Sequence, residues 1–214
     1  MSSGSSTPTP SIQPQWDSSG ERLRYAFDRD DPCRTAIRDE YGQIFYSTTT
    51  QEIVGDPDTI LNTFIKDGRG QTIATYFRPS NKRSKDYLIN GSMPPISRAS
   101  WLQLSSSSQV TFVLMIQPHE AKPSTARYVR SAKFQQNKTS YTWSWNSEVD
   151  QDQSFQELHA DGNSSPLMRT LSSGHGRATT MQLEMQLLPS ELTDSLMVSL
   201  FILLILRRAE KASH

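Results

Sequence analysis

Few residues in this chain have types and spacing that could do chemistry. Four cations fall close together at Arg78, Lys82, Arg83 and Lys85, in the run Arg-Pro-Ser-Asn-Lys-Arg-Ser-Lys. Pro79, Ser80 and Asn81 favour a loop, and a loop lets such groups converge on phosphate through charge-assisted hydrogen bonds. The ligand this implies is an anionic phospholipid head group; the plainer alternative is a solvated turn. A second basic stretch, Lys122, Arg127, Arg130, Lys133 and Lys138, is followed by Glu148, Asp150, Asp152, Glu157 and Asp161. These two read as neighbours that neutralise each other across adjacent strands.

Catalytic readings fare worse. Cys33 is the only cysteine, and nothing places it against His119, His159 or His175 as a nucleophile–base pair. Asp30 and Asp31 beside it would raise a thiol pKa, not lower it. His159 and Asp161 could supply two metal ligands, but no third is indicated. Trp143 and Trp145 could stack on a ligand, though their shared face suits a core better. Gly68-Arg69-Gly70 and Gly174-His175-Gly176 lack the strand-to-helix setting of a phosphate loop. No catalytic residue, metal ligand or cofactor is assigned, and an enzyme is not expected.

Composition narrows the partners. The 22 basic and 22 acidic side chains cancel, so no global field draws the chain to nucleic acid, and a monomer without a nucleic-acid partner is expected. The Ser/Thr/Pro/Gln-rich start, residues 1–20, should be disordered. It has neither a secretory nor a transit pattern, so the expected location is cytoplasmic, with peripheral membrane or nuclear placement as variants. Asn90, Asn137 and Asn163 head sequons that read as chance matches without secretion.

The elements that must position these residues are mostly short strands. Residues 23–27 alternate and stop at Asp28–Pro32. Hairpins are expected from 35–38 with 43–48, 59–65 with 71–77, 128–134 with 140–145, and 153–159 with 166–171. Gly42 should take a positive φ in the first of these. Alternation is complete from Met181 to Leu187, whose apolar side must face a core. A closing or nearly closing antiparallel meander follows, occupying residues 21–211 as one domain. From Pro189 the pattern becomes helical over about 190–209, with Ser190 as N-cap and acids in the first turn. Leu196, Leu200, Leu203 and Leu204 belong to a run apolar on every side, which must be buried all round. That run spans about 16 Å, short of the roughly 30 Å hydrocarbon core. A core helix is therefore expected; the alternative is a tail anchor with Ser195 to Leu206 in lipid.

A strand ending in Asp-Asp-Pro (Phe27 to Pro32), a hairpin with Asp39, Gly42 and Tyr46, the Tyr141-x-Trp143 strand and the terminal helix form a familiar order. In this order the chain resembles the fungal domain of unknown function numbered 6593, and more remotely the tubby C-terminal, LURP-one-related and phospholipid scramblase group. The resemblance implies a mainly β fold, a barrel of about twelve antiparallel strands wrapped around a hydrophobic C-terminal α-helix. Residues 103–125 depart from it, as an extra strand, an inserted loop or a gene-model artefact. The expected function is a non-enzymatic binding or scaffold domain with peripheral binding to anionic phospholipid.

Overall fold

The computed structural model describes residues 22–55, 59–80, 84–91, 93–107, 129–147, 153–173 and 180–211. The first half of the chain forms β1 (Arg22–Phe27), β2 (Ala36–Arg38), β3 (Ile44–Ile53), β4 (Ile60–Asp67), β5 (Thr72–Pro79), β6 (Tyr87–Asn90) and β7 (Ile96–Ser97). A single turn, α1 (Arg98–Trp101), leads to β8 (Gln103–Ser107), β9 (Val129–Gln136), β10 (Thr139–Ser147), β11 (Gln153–Ala160), β12 (Met168–Ser173) and β13 (Thr180–Gln186). The helix α2 (Ser190–Lys211) follows.

Among the described residues all thirteen strands join one sheet, in the order β7-β6-β5-β4-β3-β2-β1-β13-β12-β11-β10-β9-β8. Each pairing is antiparallel, and β13 returns to pair with β1. The hydrogen-bonded ladder is open between β7 and β8. Both edge strands stand six antiparallel steps from β1, so they point the same way and α1 joins them head to tail.

The turns are set by short-range chemistry. Asp39 Oδ1 accepts from the amides of Tyr41 and Gln43, and Asp67 Oδ1 accepts from those of Arg69 and Gln71. Each turn then needs a positive φ three residues on, supplied by Gly42 (φ 78°) and Gly70 (φ 79°). The register slips at Ile37/Arg38 and at Ile65/Lys66. These bulges re-aim side chains: Phe45 turns inward and stacks on Tyr25 at 4.2 Å.

The core is built around α2. Residues 196–205 are each no more than 7% exposed, and a helix turns about 100° per residue, so every side is covered. Both halves of the sheet touch it. Tyr46 on β3 donates to Asp194 at 2.5 Å, Phe27 on β1 meets Phe201 edge-on at 6.4 Å, and Trp143 on β10 donates to Ser199 at 2.8 Å. The Pro189 carbonyl accepts the Thr193 amide, the bond that defines an N-cap. The cap is thus Pro189, one residue before the expected Ser190, and the Thr193 hydroxyl bonds to the same carbonyl. At the far end Arg208 reaches the Asp30 carbonyl and lies 3.7 Å from the Asp31 carboxylate. No helix among the described residues is long and apolar enough to cross a membrane.

Candidate functional site

The basic segment forms the end of β5 and the loop to β6. The β5 strand runs in the direction of β1, so this loop opens at the end where α2 finishes. Its two ends are fixed. On the β5 side Pro79 pairs with Ile60, and the Ser80 amide donates to the Thr59 carbonyl at 2.7 Å. On the β6 side Asp86 is the anchor: its Oδ2 accepts from the Tyr76 hydroxyl at 2.5 Å and from Arg98 Nε at 3.0 Å. The Asp86 carbonyl also accepts the Arg98 amide at 3.2 Å. One acid thereby ties β5, the loop and α1 together.

Arg78 and Lys85 sit at opposite ends of this loop. Lys85 is exposed, whereas Arg78 is half-buried and points to the inner face, because it pairs with Leu61 one step beyond the buried Thr63–Tyr76 pair. Lys82 and Arg83 lie outside the described residues. Burial pushes the Tyr76 phenol up, and the hydrogen bond to Asp86 pushes it further; Arg98 and Arg78 oppose this with their charge. Burial would also raise Asp86, but the bonds from Tyr76 and Arg98 and the Arg98 charge outweigh it and hold the carboxyl below its usual range.

The other candidates separate. Cys33 is half-buried, and its amide donates to Asp31 Oδ1 at 3.1 Å; His119 and His175 lie outside the described residues. His159 Nε2 is 3.4 Å from Glu157, and no group of three metal-ligating side chains occurs among the described residues. Trp143 is fully buried with its N–H committed to Ser199, so it is a core residue and cannot stack on a ligand. The side chain of Trp145 and the run Val110 to Ile116 are outside the described residues. Of the two charged stretches, Lys122, Arg127, Glu148, Asp150 and Asp152 lie outside the described residues. For the strand residues that remain the expected neutralisation is corrected, because β10 separates Lys133 on β9 from Glu157 on β11, and Glu157 lies 3.6 Å from Arg169 on β12 instead.

Sequence reasoning missed the Tyr76–Asp86–Arg98 cluster. Ten and twelve residues separate its members from Asp86, and only the pairing of β5, β6 and β7 brings them together. The loop it anchors lies within a longer match. Residues 30–209 match a family of unknown function, DUF6593. The chain belongs to that family. The match runs from the β1–β2 loop to the last turns of α2, so the DUF6593 region takes in the whole sheet except β1. Searches of curated proteins and of solved structures returned no match.

Proposed function

We propose that the chain is a non-enzymatic, tubby-like barrel domain that associates peripherally with anionic phospholipid head groups through Arg78, Lys82, Arg83 and Lys85. Barrel closure is favoured by the common direction of β7 and β8: with α1 between them they act as one interrupted strand that pairs with β6 first and β9 afterwards. A helix covered on every side is what such a barrel would enclose.

The observation that carries the lipid reading is the fixed base of the loop. Asp86, the one acid in the segment, is neutralised by Arg98, so it does not compete with phosphate for the exposed Lys85 beside it. Flotation of the full-length chain with neutral, phosphatidylserine and phosphoinositide vesicles at two salt concentrations tests this. Salt-sensitive binding restricted to anionic vesicles, lost on reversing Lys82, Arg83 and Lys85 to Glu, is the expected result. Binding to all vesicles regardless of salt would point instead to insertion of Ser195 to Leu206. No binding would remove the lipid reading.

A further inference from the structure

Every interior strand of the sheet is held on both sides by backbone hydrogen bonds, whereas β7 and β8 are held on one side each. A free edge leaves backbone groups unpaired, and here the two free edges share one short connection, α1. Directly paired residues share a face, so Ile96 points inward with its partner Leu88, and Leu104 with Ala132. Both partners are fully buried, yet Ile96 is 37% exposed and Leu104 43%. Along this line inward apolar side chains reach water.

α1 cannot hold itself. A single turn gains the bond from the Leu102 amide to the Arg98 carbonyl at 2.7 Å, which does not offset the nucleation of a helix. Ser97 gives it no side-chain cap, and none of its residues is buried. What fixes it is one side chain at each end. Arg98 Nε donates to Asp86 Oδ2 at 3.0 Å, and Asp86 is held in turn by Tyr76 on β5. At the other end Trp101 stacks on Phe134 of β9 at 5.5 Å, and Phe134 stacks on Tyr141 of β10 at 5.2 Å. One turn of helix therefore grips both ends of the sheet. Leu102, which follows it, is fully buried.

We infer that α1 is a clasp: it holds the β6 edge to the β9 edge, and the sheet opens there as a local unit while the other strands stay folded. Local opening follows the weakest ties. Each grip here is a single ion pair or ring stack, whereas β3 and β4 would have to break a full-length ladder. Release of α1 frees Ile96, Leu102 and Leu104. Leu104 stands in one row with Ala132 and Trp143, whose N–H bonds to Ser199 of α2. The opening thus leads to the middle of that helix and gives the core a lateral way to solvent without global unfolding. None of this depends on lipid binding.

Amide hydrogen exchange of the full-length chain, resolved by residue, tests the clasp. The reporters are the Arg98 amide, bonded to the Asp86 carbonyl, and the Leu102 amide, bonded to the Arg98 carbonyl; strand amides of β4 and β12 are the references. In the parent the reporters should exchange faster than the references and respond less to low urea, because a local opening exposes little surface. Trp101→Ala removes only the grip on β9, yet it should speed the Arg98 amide about tenfold, the scale of one ring stack. Arg98→Met should do the same at Leu102 through the lost charge-assisted bond. If Trp101→Ala leaves the Arg98 amide as in the parent, the two edges fray separately and there is no clasp. A third variant does not depend on either of these folding. Glu157→Ala on β11 weakens the whole protein and touches neither grip, so it should speed the references and leave both reporters unchanged. Equal acceleration at the reporters would mean that they exchange only through global unfolding, which overturns the local opening.

Discussion

The outward face of β3 to β6 and that of β1, β13, β12 and β11 are built on opposite rules. On the second, Arg24 pairs with Glu184, Glu184 with Arg169, and Arg169 with Glu157. Charge alternates at every step, and the Arg24–Glu184 and Arg169–Glu157 contacts close to 3.1 and 3.6 Å. Arg169 is 3% exposed although it points away from the core. Burial lowers its pKa, while the charges of Glu157 and Glu184 work against that. The described outward positions of the first face, with Phe77 stacked on Tyr87 among them, hold no carboxylate, and Asn62 Oδ1 is buried there without a hydrogen-bond partner. The charged row is held by attraction between strands, whereas the apolar row has only side-chain packing to hold it.

Predictions follow from the contrast. The inner side sets the scale. Leu203→Asp should unfold the protein, because an unpaired buried carboxylate costs several kcal/mol against a total of roughly 5–15; far-ultraviolet circular dichroism and a melting curve check it. On the charged face Glu157→Ala should destabilise by about 2 kcal/mol in urea. That figure is discounted from the roughly 3–5 kcal/mol for breaking a buried pair, since Glu184 still compensates Arg169. On the apolar face the same kind of change should have the opposite sign. Asn62→Val removes an unsatisfied acceptor and should stabilise by about 1 kcal/mol. A loss there equal to that of Glu157→Ala would erase the distinction between the faces.

The smallest effect concerns the Arg98–Asp86 ion pair at the edge of the apolar half. Asp86 has a lowered folded pKa, so its stabilising contribution is present above the unfolded value of about 4 and is lost as pH falls through the folded one. Urea midpoints between pH 6 and pH 3 should fall less steeply in Asp86→Asn than in the parent. Equal slopes would show that the cluster does not couple α1 to β6. At the alkaline end, Tyr46 and Tyr76 are both raised by burial and by their carboxylate partners. Their contribution is full below about pH 10 and declines above it.

Period and turn chemistry were legible in the sequence. The alternation from Met181 to Leu187 placed Leu183 and Met185 inward, and both are buried, whereas Leu187 was expected on the core side and is 74% exposed because it lies past the end of β13. Gly42 was readable because Asp39 and the following hairpin demand a positive φ at that distance. The apolar helix announced its own burial, since no side of it could face water. What local pattern could not supply was register between distant strands. Neither Arg169 beside Glu157 nor Phe77 beside Tyr87 is written in either segment alone. The bulge that turns Phe45 inward breaks the very alternation used to read β3. The break between β7 and β8 escaped notice for a related reason: two residues of β7 give no period to detect. Of the basic loop, its composition was legible and the anchor that holds its end was not.

The position of α2 in chain order has a consequence for how the molecule comes to exist. A ribosome adding about 5–20 residues per second delivers all thirteen strands before the element around which they pack. Until then Ile37, Ile65, Leu88 and Leu183 have an apolar face and nothing to bury it against. Pairing β1 with β13 also closes a loop of more than 150 residues, a long-range contact of the kind that slows folding. The nascent sheet is therefore an aggregation-prone species whose lifetime is set by translation, and a chaperone that shields it until α2 emerges would decide the yield of native protein.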